Sequence, residues 1–236
     1  MKQLLQILAV LLILAGLLAG SVLYAQAAPA GETPLPEPPG SELPPDLFDE
    51  NCDGGAGCPG RVFLDMPPAG HWAHLPIDWA LSRHVTSGTA PDRFSPNKGC
   101  TRAQAVTFLW KAMGAPEPRS QSCPFEDVPR NAYYRQAVLW AVERGVTSGM
   151  SPTRFGSNVL CKRAQIITFL WRAKGSPASG TVPAFRDVAE DDYYRGAVAW
   201  AVERHITGGV SPREFGAAQT CTRAQIVGFL YYASRS

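Results

Sequence analysis

The sequence has almost no charge imbalance and lacks the close residue pairs that commonly hold a metal. Its 22 Lys and Arg residues nearly balance its 20 Asp and Glu residues, which leaves a formal charge of +2. This balance gives no reason to expect nucleic acid or an acidic membrane surface as a partner. No CxxC or HxxxH pair is present. We therefore expect no metal site and no cofactor.

The first 60 residues lack what a folded domain needs. Residues 4–24 contain no charge and are followed by Ala25-Gln26-Ala27, the small-x-small form that signal peptidase recognises. We expect residues 1–27 to be a cleaved signal peptide, with an uncleaved membrane anchor as the alternative. Residues 28–60 are rich in Pro and Gly and are expected to form an extended spacer. Either interpretation of the N-terminus places the rest of the chain outside the cytoplasm.

The remaining chain repeats one unit three times. The fragment CTRAQ stands at residues 100–104 and 221–225, and CKRAQ stands at residues 161–165. The aligned arginines are spaced 61 and 60 residues apart. A constant period of this length predicts tandem repeats, here over residues 61–118, 119–179 and 180–236. The other aligned sets are Phe63, Phe125 and Phe185; Asp65, Asp127 and Asp187; and Trp79, Trp140 and Trp200, which we expect in the core.

Each copy is expected to form a helix, a loop and a second helix. In the second copy, apolar residues at i, i+4 spacing predict a first helix over about 133–144, which Gly145 ends. The loop that follows is anchored by Phe155, equivalent to Phe94 and Phe215. The second helix is apolar on most sides. We therefore predict a mainly α fold in which three second helices close one core with approximate threefold symmetry.

The residues before the second helix form a capping box. Thr101 can accept a hydrogen bond from the Gln104 amide, and the Gln104 side chain can bind the Thr101 amide in return. Thr222 and Gln225 repeat this arrangement. The second copy has Lys162 in place of the threonine and is expected to lose the cap, at a cost of about 1 kcal/mol.

Capping leaves the repeated arginine unexplained. An arginine in the first helical turn lies at the positive end of the helix dipole, where acidic residues are favoured. One interpretation is a structural salt bridge between each arginine and the matched aspartate of the repeats. The other is an anion site, in which free amides at the helix start and the guanidinium bind a carboxylate or phosphate. The two interpretations are compatible if the aspartate orients the arginine. The arginines are Arg102, Arg163 and Arg223.

The ordered set FxDV, an aromatic residue, G-V/I-T-x-G, Phe and TRAQ resembles the S-layer homology domain family over residues 63–236. The resemblance implies a three-pronged helical module around a central bundle. It also implies noncovalent attachment of an exported protein to a Gram-positive-type cell wall or S-layer. The ligand it implies is a secondary cell-wall polysaccharide, often pyruvylated, bound in grooves between neighbouring copies.

The resemblance also implies which residues bind. Carried over position by position, it points to Arg102, Arg163 and Arg223 as anion contacts and to Asp65, Asp127 and Asp187 as their orienting partners. Trp72, Tyr133 and Tyr193 align with the family's aromatic residue, which either stacks on sugar rings or packs at the helix start. The chain departs from the family where Gln104, Gln165 and Gln225 replace Glu, and where Pro76 enters the first helix of copy one. We therefore do not expect three equal grooves.

The expected function is noncatalytic anchoring. An extracellular adaptor that binds other surface proteins through the same grooves is an alternative. A hydrolase acting on wall glycans is the less favoured alternative, because glycoside hydrolysis needs two carboxylates across one bond. Each copy offers one matched aspartate beside scattered acids such as Glu143 and Glu203. The histidines His71, His74, His84 and His205 do not recur in equivalent trios with Ser or Cys. We therefore expect no enzyme activity.

Six cysteines in an exported chain favour disulfides over zinc. Cys100, Cys161 and Cys221 precede the second helices, whereas Cys58 and Cys123 precede the start of a copy. Repeat equivalence favours the pairs Cys58–Cys100 and Cys123–Cys161, which leaves Cys52–Cys221. A bridge between Cys100 and Cys123 remains an alternative.

Overall fold

A computed structural model describes residues 50–236 of the chain. The expected signal peptide and most of the expected spacer lie outside this range. Within it the regular structure is six α-helices after a short 3-10 helix, Pro59–Val62. The helices are α1 His74–Ser82, α2 Arg102–Ala112, α3 Arg135–Glu143, α4 Arg163–Ala173, α5 Arg195–Glu203 and α6 Arg223–Ser234. None of the helices between residues 50 and 236 combines the length and apolar character needed to cross a bilayer.

The six helices pack in a cyclic order. The second helices of the three repeats, α2, α4 and α6, contact one another in pairs at the centre. Each first helix packs against the second helix of the preceding repeat, so that α3 lies on α2, α5 on α4 and α1 on α6. The repeated tryptophans are buried, as expected: Trp79, Trp140 and Trp200. The predicted mainly α, pseudo-threefold fold is confirmed.

A ring of three backbone hydrogen bonds closes the molecule on itself. The Cys161 amide donates to the Cys100 carbonyl (2.8 Å), the Cys221 amide donates to the Cys161 carbonyl (2.9 Å), and the Cys100 amide donates to the Cys221 carbonyl (3.0 Å). All three residues are fully buried. The third repeat therefore pairs with the first in the same way that consecutive repeats pair with each other.

The helix starts follow the capping prediction. Thr101 and Thr222 each accept a hydrogen bond from the amide three residues on, and Gln104 and Gln225 complete both capping boxes. Lys162 makes no side-chain cap, although its amide still donates to Gln165 (3.1 Å). The second copy therefore keeps only half of the box.

The glycine of the T-x-G motif is required by the packing of the loop. Gly149 has φ +87°, and a Cβ placed there would lie 2.5 Å from the Phe125 ring and 2.8 Å from the Arg154 carbonyl oxygen. Any other residue would have to displace the ring that covers the loop. The predicted end of the first helix is also confirmed, because Gly145 adopts a left-handed conformation with φ +65°.

Candidate functional site

The matched aspartates organise the loop of their own repeat. The Asp127 carboxylate accepts hydrogen bonds from the amides of Phe155 (2.7 Å), Gly156 (2.7 Å) and Ser157 (3.0 Å). Burial alone would raise the pKa of the carboxyl, but these amides bind the ionised form and lower the pKa below its ordinary value. Asp187 repeats the three bonds, whereas Asp65 accepts two, from Phe94 and Ser95.

Each repeated arginine reaches out of its own repeat into the loop of the next one. Arg102 is 2% exposed, and its Nε donates to the Phe155 carbonyl at 3.0 Å. Its guanidinium lies 4.9 Å from the Phe155 ring centroid and 5.2 Å from that of Phe169. A hydrogen bond and two cation–π contacts therefore hold the second repeat to the first.

The same set of contacts, called the arginine clamp below, recurs around the ring. Arg163 donates to the Phe215 carbonyl at 3.0 Å, and Arg223 donates to the Phe94 carbonyl at 2.9 Å. Burial lowers the pKa of Arg102 and Arg163, but a guanidinium titrates so high that both stay charged at neutral pH. The last of the three clamps ties repeat 3 back to repeat 1.

The sequence suggested that the helix starts offer free amides to an anion, but in the structure these amides are already bound. The Arg102 amide donates to the Val159 carbonyl (2.8 Å), and the Ala103 amide donates to the Ser157 carbonyl (3.2 Å). The Gln104 amide is taken by the Thr101 cap. The loop of the next repeat and the cap therefore take up the backbone amides that an anion would need.

A direct salt bridge between the matched arginines and aspartates is likewise not formed among residues 50–236. The aspartate and the arginine bind the same loop through different backbone groups. Asp127 holds the amides of Phe155 and its neighbours, while Arg102 holds the Phe155 carbonyl. The arginine lies in the first helical turn because from there it reaches the neighbouring loop.

The three arginines differ in one hydrogen bond. Arg163 Nη2 donates to the Thr207 hydroxyl at 3.2 Å, and Arg223 Nη2 donates to the Thr86 hydroxyl at 3.1 Å. In the part of the chain that the structure describes, the buried Nη2 of Arg102 has no hydrogen-bond partner. A buried donor without an acceptor is costly and calls for an explanation.

The aligned aromatic residues lie at the surface to different degrees. Trp72 is 51% exposed and Tyr193 is 59% exposed, whereas Tyr133 is half-buried. Partial desolvation raises the pKa of the Tyr193 phenol, and the nearby positive charges of Arg102 and Arg172 oppose that rise. Tyr193 of the third repeat therefore lies within electrostatic reach of Arg102 of the first.

Arg102, Tyr193 and the loop of the second repeat come from all three repeats, and this group of residues is referred to below as the Arg102 cleft. Trp72 instead packs over Gly228 of α6, where an added Cβ would come within 3.3 Å of its ring. The part that any of these residues plays in binding a ligand stays a prediction.

The cysteines are grouped differently from the pairs that repeat equivalence suggested. All six lie in the described range and are unbridged. Cys100 shares the buried central ring with its two equivalents, whereas Cys58 lies against α1 beside Cys52. The three cysteines that precede second helices meet one another around the axis, so the pairing suggested by repeat equivalence stays a prediction. Burial raises the pKa of Cys100 and Cys221 to about 12, so both are neutral thiols at neutral pH.

Sequence reasoning also missed a cluster of four polar side chains. Cys52, Cys58, His74 and Asp78 place their ligand-type atoms within 4.8 Å of one another. His74 and Asp78 stand four residues apart on α1 and therefore on one helical face. In the sequence, the i, i+4 spacing of His74 and Asp78 is the feature that indicates this cluster, but it is neither a CxxC nor an HxxxH pair.

Comparison with known proteins agrees with the fold and the repeats. The S-layer homology domain model matches residues 63–106, 124–167 and 184–227, which are more than half of the chain. The chain is similar to a cell surface protein of Thermoanaerobacter kivui, at 30% identity over 115 residues, 47% of this chain and 14% of that protein. It is also similar to an S-layer protein of Bacillus thuringiensis subsp. finitimus, at 24% identity over 178 residues, 72% of this chain and 21% of that protein.

A third relative carries the name of an enzyme. An endoglucanase of Bacillus sp. (strain KSM-635) is 30% identical over 102 residues, 43% of this chain and 10% of that protein. The matched stretches span about a fifth or less of the length of these three relatives. The family match and the cyclic arrangement of three helix pairs lead to one assignment: the chain belongs to the S-layer homology domain family and carries three copies of the domain.

Proposed function

We propose that the chain is a noncatalytic anchoring module that binds an acidic secondary cell-wall polysaccharide, including pyruvylated forms, in the clefts between its repeats. Membership of the S-layer homology family supports an anchoring role at the cell wall or S-layer. The surface proteins among its relatives support a location at the cell surface. The glycan class goes beyond that membership and rests on the geometry of the Arg102 cleft.

The observation that carries the proposal is the unsatisfied guanidinium of Arg102. Its two counterparts use Nη2 to bind a threonine, but Arg102 Nη2 lacks a partner in the described structure. A carboxylate or other acidic group on a sugar is the kind of acceptor that a buried cationic donor favours. Of the three clefts, this one is the best prepared for an acidic ligand.

We propose that a flexible side chain controls access to this donor. Met150 is 57% exposed and lies beside Gly156, where an added Cβ would overlap its sulfur and come within 3.3 Å of Arg102 Nε. An unbranched methionine changes rotamer easily. Rotation of Met150 away from Gly156 opens the cleft toward Arg102, and the exposed Tyr193 ring then provides a face for a sugar to stack on.

The test is binding of the purified chain to cell-wall polysaccharide, with and without its acidic substituents. Tyr193→Ala removes an exposed ring and is expected to weaken binding by roughly 1 kcal/mol while the melting temperature stays the same. Arg102→Gln is expected to weaken binding by about 1.5–3 kcal/mol. Leu64→Ala, at a residue that is 76% exposed, is the matched surface control and should bind as the wild type does.

Equal binding of the intact and the deacidified polysaccharide would contradict the acidic-ligand proposal. Undiminished binding by Tyr193→Ala and Arg102→Gln together would contradict the Arg102 cleft. If the chain retains a surface protein from wall extracts but no polysaccharide, the adaptor function replaces the proposed one.

The acidic residues support a noncatalytic function. The repeat aspartates are engaged by loop amides, as described above. Glu143 accepts a hydrogen bond from the Arg119 amide, and Glu203 accepts one from the Gly180 amide. These carboxylates hold loops in place. A hydrolytic assay on isolated walls should therefore detect no release of reducing sugar, and such release would favour the hydrolase.

A further inference from the structure

The cluster formed by Cys52, Cys58, His74 and Asp78 lies away from the Arg102 cleft, in front of the first repeat. The segment with both cysteines precedes the 3-10 helix, and the other two residues lie on α1. His74 is 3% exposed, Asp78 is fully buried and Cys58 is 4% exposed. Three of the four side chains are thus shielded from water, whereas Cys52 is half-exposed.

Four of the six distances between the ligand atoms are close to those around a tetrahedral zinc ion, and all four atoms lie within 4.8 Å of one another. His74 Nε2 lies 3.5 Å from Cys52 Sγ, 3.6 Å from Cys58 Sγ and 3.3 Å from Asp78 Oδ2. Cys58 Sγ lies 3.2 Å from Asp78 Oδ2. Tetrahedral zinc with its usual bonds to sulfur, nitrogen and oxygen separates its ligand atoms by about 3.3–3.8 Å. The four atoms therefore surround a point at which one small cation fits.

The surrounding bonds hold these ligands in the orientation that a metal needs. His74 Nδ1 lies 2.7 Å from the Pro67 carbonyl oxygen, so that Nδ1 carries the proton and Nε2 presents its lone pair to the cluster. The Asp78 Oδ1 atom accepts a hydrogen bond from the Gly60 amide at 2.7 Å. Hydrogen bonds of this kind, made by the atoms that face away from the cluster, fix the histidine tautomer and the direction of the carboxylate.

The other two repeats show that the fold does not require a buried carboxylate at the position of Asp78. The residues equivalent to Asp78 are Leu139 and Ala199, which are both buried. Among residues 50–236, neither Lys nor Arg pairs with Asp78; its titratable neighbours are His74 and Cys58. A buried carboxylate that replaces an apolar residue requires a counter-charge. A divalent cation held by both thiolates supplies it.

The geometry points to a structural zinc site formed by Cys52, Cys58, His74 and Asp78, which fastens the segment before repeat 1 to α1. Two thiolates with an imidazole and a carboxylate are a ligand set that suits zinc. Four protein ligands leave no open position, which is typical of a structural site. Binding of the ion displaces the two thiol protons. A Cys52–Cys58 disulfide is the competing arrangement, but it does not explain why both sulfurs converge on His74 Nε2.

The test uses the full-length chain purified without reductant from zinc-supplemented medium, with metal content measured by mass spectrometry. We expect one zinc ion per chain in the wild type and in Cys123→Ser, which changes a cysteine outside the cluster. Cys52→Ser should lose the ion. Because Cys52 is half-exposed and precedes every helix found between residues 50 and 236, this variant should still fold, which circular dichroism will check. A chelator should lower the melting temperature of the wild type and leave that of Cys52→Ser unchanged.

A second measurement does not depend on any variant. Cobalt(II) chloride added to the chelator-treated wild-type chain should give the intense visible absorption of tetrahedral cobalt and a thiolate-to-cobalt charge-transfer band. The proposal is overturned if these bands are absent. It is also overturned if peptide mapping finds a Cys52–Cys58 disulfide in zinc-free protein, or if Cys52→Ser retains zinc at the wild-type level.

Discussion

The first helices of repeats 1 and 2 hold equivalent places but attach the preceding segment by different chemistry. In repeat 2, the Arg135 guanidinium donates to the carbonyls of Val128 (3.1 Å) and Gln121 (3.0 Å), which come before the helix. In repeat 1, the equivalent residue is His74, and its imidazole faces two cysteines of the preceding segment instead. Each helix therefore binds the chain that leads into it, once by a guanidinium and once by a thiol cluster.

The difference shows which positions the ring constrains. A residue that contacts another repeat meets the same partner three times, so the arginine clamp and its phenylalanine keep their identity in every copy. A residue that contacts only the segment before its own repeat has no such equivalents. His74 and Asp78 occupy positions of this second kind, and there the first repeat departs from the others.

The largest effect is expected where the repeats are most alike. Asp127→Ala leaves three loop amides without an acceptor and should lower the free energy of unfolding by about 3 kcal/mol, whereas Asp65→Ala, with two amides, should lower it by about 2 kcal/mol. Urea denaturation followed by circular dichroism measures both. The exposed Asp191 provides the control, because Asp191→Ala should leave stability within error of the wild type. Equal losses at Asp65 and Asp191 would show that the loop amides do not need the carboxylate.

The free energy of unfolding lost on replacing each clamp arginine should increase with the number of hydrogen bonds that the arginine makes. Arg163→Ala removes bonds to Phe215 and Thr207 and should cost about 2.5 kcal/mol, whereas Arg102→Ala also removes an unpaired donor and should cost only about 1.5 kcal/mol. The same denaturation experiment compares them. Thr207→Val should bring the loss at Arg163 close to that at Arg102. The reverse order of the two alanine variants would contradict the assigned bonding.

Acid should weaken the loops less than deletion of the aspartates does. Burial alone would raise the pKa of Asp127 and Asp187, but loop amides hold both pKa values below the ordinary range. The stability that they add is complete above the unfolded pKa of about 3.9 and is lost as the pH falls through the lower, folded value. We expect the free energy of unfolding to fall below about pH 4, with a shallower fall in Asp127→Asn. A parallel pH profile for that variant would assign the acid sensitivity to other groups.

The smallest effect concerns the incomplete capping box of the second repeat. Lys162→Thr supplies the hydroxyl found at Thr101 and Thr222 and should raise the free energy of unfolding by about 1 kcal/mol. The matched reverse change, Thr222→Lys, should lower it by a similar amount. Thermal melts of both variants measure the difference, and no gain from Lys162→Thr would mean that another group already satisfies the helix start.

Local rules were enough to predict the helices and their caps. The second helix starts at Arg102 because Thr101 and Gln104 satisfy its first amides, a relation that spans three residues and is readable in the chain. The loop anchor Phe155 and the buried Trp140 were likewise predicted from turn residues and apolar periodicity. For the candidate site, the sequence singled out the repeated arginines and aspartates and offered a salt bridge between them as one interpretation, whereas Arg102 and Asp127 both bind the Phe155 loop.

The sequence by itself determined the threefold repeat, the helix pairs and the buried anchors, because these depend on hydrogen bonds and apolar spacing within a few residues. Only the tertiary structure decided what the arginines and cysteines contact. Arg102 meets a carbonyl 53 residues away and Arg223 meets one 129 residues away, and no local rule specifies such partners. The same holds for Cys58 and His74, which come together because the segment before the first repeat folds back on α1. The packing of distant segments brings these residues into contact, so their partners are known only from the folded ring of repeats.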